Sequence, residues 1–272
     1  MFGLFRKPRQ KKSAPSSIRT PEAGPFAPPR AEAVRDTDAD WANLGDREPY
    51  FSVLVNPDFL RANMTEAKRD AFFRTGAQEI GAHLQYLRDQ FGPFTPRSAL
   101  DFGCGVGRLT RALADISGDA VGIDISDGML REARLAERPG LVFQKDIPDR
   151  PFDWIVSIIV FQHIPPDRGY RLLQELLRRL APGGCVTLQF VFYRDPHMYH
   201  APGGRIGIGE EIIDIANHDA TRAYAPGEMM MFDYDLTVIA AMLFRSGVAQ
   251  MRLVHTDHGG FHGASVFGRR NT

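Results

Sequence analysis

The sequence predicts an α/β fold, in which helices cover both faces of a doubly wound, mostly parallel sheet. Short apolar runs alternate with helical segments from residue 98 to residue 192. This alternation is typical of strand–helix–strand units, which build parallel sheets through right-handed crossovers. Near the end of the chain, two strand-like runs are joined by a short glycine-rich link. Because such a link cannot hold a crossover helix, these strands are expected to form an antiparallel hairpin.

The individual elements follow from periodicity and from start and stop signals. Apolar residues at helical spacing predict a helix over Thr65–Gln90. The continuous apolar run Trp154–Phe161 is expected for a central strand that is covered on both faces. Ser126 and Asp127 are good N-caps for the helix that follows the second strand. The predicted strands are Ser98–Phe102, Ala120–Asp124, Leu141–Gln144, Trp154–Phe161, Val186–Phe192, Gln250–His255 and Ala264–Gly268, and the helices after Gln90 are Arg108–Ile116, Ser126–Glu137, Asp167–Leu180 and Leu236–Phe244.

Composition divides the 272 residues into three parts. The chain is 43% hydrophobic and 24% charged, which is enough to bury a core. Residues 1–40 are rich in Pro, Ala, Ser and Arg and are predicted to be a disordered basic tail. Residues 41–96 are predicted to form an N-terminal helical cap. Residues 97–272 would then hold the sheet, with an insertion at 193–235 as a lid over the acceptor.

Charge and cysteine content limit the function classes. The 33 basic and 33 acidic residues balance, so nothing global indicates a nucleic-acid partner. The two cysteines offer neither a disulfide framework nor metal-ligand spacing, which favours a cytoplasmic protein without a metal. No apolar run approaches the roughly 20 residues of a membrane span. The first twenty residues carry six basic residues and no acid, which predicts either weak contact with an anionic membrane surface or a solvated tail.

The glycine-rich run after the first strand is the most informative segment. It places Asp101, Gly103, Gly105 and Gly107 at alternate positions. Glycines are needed where a backbone turns through positive φ or lies against a ligand, and open α/β sheets bind ligands at this end of their strands. The dinucleotide fingerprint is Gly-x-Gly-x-x-Gly, but Arg108 occupies the place of its third glycine. The spacing therefore favours a nucleoside-type ligand that has no pyrophosphate.

The motif Asp101-x-Gly103-x-Gly105-x-Gly107 resembles the first motif of class I S-adenosylmethionine-dependent methyltransferases. Residues 48–54 and 72–76 resemble segments of bacterial methyltransferases that act on small molecules or glycans. The resemblance extends over residues 98–269, because five parallel strands followed by helix, strand and strand is the methyltransferase order. It implies a seven-stranded sheet of order 3-2-1-4-5-7-6 with the last strand antiparallel. It also implies S-adenosyl-L-methionine as the cofactor.

The resemblance gives cofactor-binding roles to the loops that follow the strands. Asp124 lies about 20 residues past the glycine loop, where an acid can accept hydrogen bonds from both ribose hydroxyls. Ile125 would pack against adenine, and Asp146 would accept a hydrogen bond from the adenine amino group. Met129 would contact adenine or ribose. The alternatives are a surface turn residue for Asp146 and a core methionine for Met129. The other implied cofactor contacts are Asp101, Gly103, Cys104, Gly105, Gly107, Ile147, Phe161 and Gln162.

His163 is the candidate general base, because it follows the fourth strand and imidazole suits proton removal near neutral pH. The alternative is a histidine that only fixes its loop by hydrogen bonding. A base is needed only when the acceptor has a proton to lose, as a hydroxyl does. The run Phe161-Gln162-His163-Ile164 stands where amino-group methyltransferases of nucleobases and glutamines carry Asn/Asp-Pro-Pro-Tyr, which favours a hydroxyl acceptor.

The acceptor is expected to be a small molecule or a glycan, bound by the insertion and by the helical cap. Arg74 is a candidate partner for the cofactor's carboxylate, and a solvent-exposed arginine is the alternative. Two other functions fit the same scaffold. One is an NAD(P)-dependent oxidoreductase, and the other is a non-catalytic binding module.

Overall fold

The computed structural model describes residues 36–195 and 231–272, together with the backbone of two short strands between them. Residues 1–35 of the predicted tail, with its membrane-contact hypothesis, lie outside the described residues, as does most of the predicted insertion. The predicted tail boundary at residue 40 is wrong, since the first helix begins at Thr37. The reason is local: the Asp36 carboxylate accepts hydrogen bonds from the backbone N–H groups of residues 38 and 39 and caps the helix.

Seven strands form the main sheet, and their order confirms the predicted topology. In chain order, and including a separate pair of short strands, the described strands are β1 (Ala99–Phe102), β2 (Ala120–Ile123), β3 (Leu141–Gln144), β4 (Phe152–Ser157), β5 (Leu180–Arg194), β6 (Gly204–Ile206), β7 (Ile215–Asn217), β8 (Gln250–Asp257) and β9 (Phe261–Arg269). The main sheet has the order β3-β2-β1-β4-β5-β9-β8, while β6 and β7 pair with each other. Numbered without that pair, the order is 3-2-1-4-5-7-6. The last strand, β9, runs antiparallel to β5.

Seven α-helices are present in the described residues, and side-chain caps begin several of them. They are α1 (Thr37–Arg47), α2 (Pro49–Val53), α3 (Glu66–Phe91), α4 (Arg108–Ser117), α5 (Asp127–Arg134), α6 (Pro166–Arg178) and α7 (Leu236–Arg245). The predicted cap at Ser126 is confirmed, because its hydroxyl accepts a hydrogen bond from the backbone N–H of Met129. α5 is one turn shorter than predicted and ends before Glu137.

Two strands differ most from their predicted bounds. β4 ends at Ser157, and the apolar residues after it form a turn and a short 3₁₀ helix, Phe161–His163. β5 begins at Leu180, before its predicted start at Val186, and includes the Pro-Gly-Gly segment between the predicted helix and the predicted strand. The pairing of β4 with β5 shifts register between Phe152 and Trp154, and this irregularity accommodates the extra residues.

Helices pack on both faces of the sheet, as expected for a doubly wound fold. On one face, α6 and α7 bury apolar side chains against β4, β5 and β9. On the other face, α3, α4 and α5 bury theirs against β1, β3 and β4. Among the described residues, no helix is both long enough and apolar enough to cross a membrane.

Candidate functional site

A cavity of about 630 Å³ opens where the parallel strands end. Its walls come from the loops after β1, β2, β3 and β4, from α1, α2 and α6, and from the turn between β8 and β9. Most of the exposed wall is apolar. The volume is within the range of small-molecule sites, and the position is where open α/β sheets bind ligands.

The glycine loop packs closely against the N-terminal helices at Gly105. This residue has a φ of +52°, in the left-handed region that favours glycine. A Cβ atom at Gly105 would lie 2.6 Å from Cγ2 of Val53, at the end of α2. The loop and α2 therefore form one continuous wall of the cavity.

Asp124 lies at the end of β2, half-buried in the cavity wall. One carboxylate oxygen accepts a hydrogen bond from the backbone N–H of Gly105, and the other accepts from that of Ser126, each at 2.9 Å. The pKa of Asp124 is raised from its ordinary value, because the effect of burial outweighs that of the backbone hydrogen bonds, which lower it. A carboxylate has about four acceptor positions, so Asp124 can still accept hydrogen bonds from a ligand. The neighbouring Ile125 is 38% exposed and presents apolar surface to the cavity.

The structure brings most of the predicted site residues together. The predicted residues that line the cavity are Gly103, Gly105, Asp124, Ile125, Met129, Asp146, Ile147, Gln162 and His163. Asp146 is exposed at the rim, whereas the Met129 side chain is buried with the core under α2. Met129 also lines the cavity, so it is a core methionine that remains a candidate contact for the cofactor.

Four predicted cofactor contacts lie outside the cavity wall: Asp101, Cys104, Gly107 and Phe161. Asp101 is buried beneath the loop and accepts a hydrogen bond from the Thr110 hydroxyl at 2.6 Å. Burial raises the pKa of Asp101 to about 7. The Cys104 thiol is buried in the core, and Gly107 is the N-cap of α4. Phe161 packs its ring between neighbouring aromatic side chains of the core, which turns it away from the cavity.

Arg108 is a cavity residue that the sequence analysis treated only as a departure from the dinucleotide fingerprint. Its side chain is 5% exposed, and Nη1 lies 2.7 Å from a carboxylate oxygen of Glu79. Its Nε atom is buried without a hydrogen-bond partner in the part of the chain that the structure describes. Arg74, by contrast, is exposed and does not line the cavity, which matches the alternative of a solvent-exposed arginine.

Gln162 and His163 form a buried pair on the wall after β4. The Gln162 Nε2 atom lies 3.2 Å from Nε2 of His163, and the His163 ring packs edge-on against Trp41. Because the amide Nε2 donates, His163 accepts with the single lone pair of a neutral imidazole. The carbonyl oxygen of Gln162 is buried and has no hydrogen-bond partner among the described residues. This geometry matches the alternative interpretation of His163, a histidine that fixes its loop.

Sequence comparisons identify the domain. A family model described as a methyltransferase domain matches residues 99–184. Trans-aconitate 2-methyltransferase of Methylobacterium nodulans is 40% identical over 101 residues, which are 35% of this chain and 38% of that protein. The enzyme of the same name from Azoarcus sp. strain BH72 is 34% identical over 145 residues, which are 51% of this chain and 54% of that protein. The chain thus spans about half or less of the length of these relatives.

Solved structures share the fold at low sequence identity. Magnesium protoporphyrin IX methyltransferase of Synechocystis PCC 6803 has a TM-score of 0.53 at 18% identity, covering 88% of this chain and 100% of that one. A S-adenosylmethionine-dependent methyltransferase of Clostridium acetobutylicum has a TM-score of 0.53 at 14% identity, covering 82% and 96%. The family model thus shows a methyltransferase domain at residues 99–184, and the strand order and the solved structures show that its fold is the class I, Rossmann-like one.

Proposed function

We propose that this protein binds S-adenosylmethionine and transfers its methyl group to an oxygen atom of a small-molecule acceptor. The carboxylate of Asp124 is the observation that carries this proposal. It lies in the cavity wall at the end of β2, and its hydrogen bond from Gly105 ties it to the glycine loop. A ribose is the ligand group that such an acid recognises in a nucleotide-binding α/β sheet.

The cavity offers what an adenosyl amino acid requires. Ile125 and Ile147 supply apolar surface for an adenine ring beside Asp124. Among the described residues, the buried Nε of Arg108 is a donor without a partner, and the carbonyl oxygen of Gln162 is an acceptor without one. A carboxylate and an ammonium group would pair with one each. Buried polar atoms without partners are destabilising, so both favour a zwitterionic ligand.

The catalytic demand on the protein is mainly one of alignment. The bound cofactor would supply a methyl group that is already activated by a positively charged sulfur. Asp124 and Arg108 would hold its two ends, while Val160, Gln162 and Met231 line the cavity after β4 and beyond β7. Holding two reactants in line can lower a barrier by several kcal/mol. The apolar wall excludes water, which would otherwise compete for the acceptor's place.

An oxygen acceptor is favoured by the residues after β4. His163 keeps its lone pair on Gln162, so it removes a proton only if that hydrogen bond breaks. An acceptor that is already ionised, such as a carboxylate, needs no such base. The relatives named above are trans-aconitate methyltransferases, and trans-aconitate is therefore the first acceptor to test. Sugars that carry free hydroxyl groups are the second.

Calorimetry with S-adenosylhomocysteine tests the cofactor proposal. We expect Asp124→Ala to weaken binding roughly a hundredfold, because two hydrogen bonds to a charged group are lost. Asp149→Asn is the matched control, since Asp149 is exposed and pairs with Arg179 away from the cavity. Equal affinity of wild type and Asp124→Ala would refute the assignment of Asp124. Tight binding of NADH with no binding of S-adenosylhomocysteine would favour the oxidoreductase instead.

Methyl transfer is then measured with labelled S-adenosylmethionine. The acceptors are trans-aconitate, a panel of sugars and a small-metabolite extract. Labelled product from any of them supports an enzyme. Cofactor binding without product from all three would favour a non-catalytic binding module.

A further inference from the structure

The turn between β8 and β9 brings a second histidine to the cavity. His258 and Gly259 both line it. The backbone N–H of His258 donates to the carbonyl of Phe261 at 3.0 Å, and that of Gly260 donates to the Asp257 carboxylate at 2.9 Å. These hydrogen bonds hold the turn in one conformation, so the imidazole ring has a defined place in the wall.

Gln189 connects this turn to the end of β4. Its carbonyl Oε1 accepts a hydrogen bond from the backbone N–H of Ile159 at 3.1 Å. Because a backbone N–H can only donate, this contact fixes which end of the amide is which. The Nε2 atom then faces the turn, where it lies 3.2 Å from the Thr256 hydroxyl and 2.6 Å from Nε2 of His258.

The orientation of Gln189 determines the tautomer of His258. Since the amide Nε2 donates, the imidazole Nε2 of His258 must be the acceptor. A neutral imidazole has one N–H and one lone pair, so the proton of His258 lies on Nδ1. Burial also lowers the pKa of His258, which keeps the ring neutral near pH 7. The remaining polar atom of the ring is thus a hydrogen-bond donor with no lone pair.

The backbone at Ile159 shows that this network is under constraint. Ile159 has a φ of +59°, which is unfavourable for a β-branched residue, and it lines the cavity. Such backbone strain persists only where surrounding contacts maintain it, and it is common at ligand sites. The hydrogen bond from Ile159 to Gln189 is such a contact. Gln189 therefore fixes both the cavity wall after β4 and the ring of His258.

We propose that His258 positions the methyl acceptor by donating a hydrogen bond from Nδ1 to one of its oxygen atoms. This rests on the proposed function, since it assigns the acceptor end of the same cavity. The acceptor must then offer an oxygen lone pair beside the reacting atom, as a hydroxyl, carbonyl or carboxylate does. A protonated amine, which can only donate, is disfavoured. His258 does not remove a proton, because its lone pair is held by Gln189.

Nuclear magnetic resonance of the ¹⁵N-labelled protein, saturated with S-adenosylhomocysteine, tests the tautomer. We expect the Nδ1–H form of His258 in the wild type, with His258→Phe used to assign the signals. Gln189→Glu should convert it to the Nε2–H form or to the doubly protonated ring, because a carboxylate can only accept. The Nε2–H form in the wild type would overturn the proposal.

Methyl transfer tests the positioning role. A small-metabolite extract with labelled S-adenosylmethionine keeps the acceptor below saturation, so the rate reports kcat/KM. We expect His258→Phe to lower that rate about tenfold, through loss of one hydrogen bond. Its affinity for S-adenosylhomocysteine should stay within about twofold of the wild type. His255→Phe is the matched control, because His255 is an exposed histidine of β8 that does not line the cavity.

Two failures are distinguishable. An unchanged rate in His258→Phe would overturn the role of His258 while leaving the methyltransferase intact. A wild-type protein that transfers no label would overturn the proposed function, and the role of His258 with it.

Discussion

Arg108 and Glu79 form an ion pair, 2.7 Å between Nη1 and Oε2, that joins the first turn of α4 to the middle of α3. Arg108 also lines the cavity and follows the glycine loop directly. The pair therefore couples the N-terminal helices to the residues that are proposed to hold the cofactor.

Removal of Glu79 should destabilise the fold, because it leaves a buried guanidinium with weaker pairing. We expect Glu79→Ala to lower the free energy of unfolding by about 2 kcal/mol and Glu79→Gln by about half as much. Urea denaturation measures both. Asp70→Ala, at an exposed position of the same helix, is the control and should change stability by less than about 0.5 kcal/mol. Similar midpoints for all three variants would contradict the importance of the pair.

Two glycines of α3 should respond oppositely to the same substitution. A Cβ atom at Gly76 would lie 2.1 Å from the carbonyl oxygen of Arg108, whereas one at Gly81 would meet nothing within 4 Å. We expect Gly76→Ala to lower the free energy of unfolding by about 2 kcal/mol, since α3 and α4 must separate. Gly81→Ala should raise it by about 0.5–1 kcal/mol through helix propensity. Thermal or urea unfolding compares them, and a stabilising Gly76→Ala would show that the two helices do not touch as described.

Stability should depend on pH through Asp101. Burial raises the pKa of Asp101 to about 7 from an ordinary value of 3.8, so the folded state binds more protons between these limits. The contribution of Asp101 to stability is therefore fully present below pH 4 and is lost as the pH rises through 7. Asp101→Asn removes this dependence and can still accept a hydrogen bond from Thr110. We expect the stability of Asp101→Asn relative to wild type to increase from pH 4 to pH 8, as measured by urea unfolding. A difference in stability between wild type and Asp101→Asn that stays constant from pH 4 to pH 8 would contradict this prediction.

Tyr234 should stabilise the loop before α6 through its hydroxyl. The ring is buried, and its hydroxyl donates to the carbonyl of Ile164 at 2.7 Å. Tyr234→Phe leaves that carbonyl unpaired and should lower the free energy of unfolding by about 1–2 kcal/mol. Tyr86→Phe is the control, because the Tyr86 hydroxyl makes no hydrogen bond with the described residues; its stability should match that of the wild type in the same denaturation assay.

Local patterns predicted the sheet and the place of Asp124 and Ile125 in the cavity wall. The order of the strands follows from alternation and a short hairpin link, and Asp124 and Ile125 follow from their distance to the glycine loop. These signals are local because each loop begins where its own strand ends. They require no knowledge of which distant residues meet.

The rest of the site depends on long-range packing, which a single sequence does not display. Phe161 is apolar and follows β4 as a cavity residue would, but its ring fills a gap among core aromatics instead. Arg108 looked like a substituted glycine, and only its pairing with Glu79 shows that it is held in the wall. His258 is some 70 residues from Gln189 along the chain, so their contact depends on the antiparallel pairing of β9 with β5.

The pairing of β8 with β9 keeps one register from Gln250 opposite Arg269 to Asp257 opposite His262. Residues 258–260 are consequently the whole of the connection, and two of them, His258 and Gly259, line the cavity. Such a turn can be replaced while the sheet below it stays in place. Natural or engineered changes in these three residues could therefore alter the acceptor that is bound, while the proposed cofactor site around Asp124 stays the same.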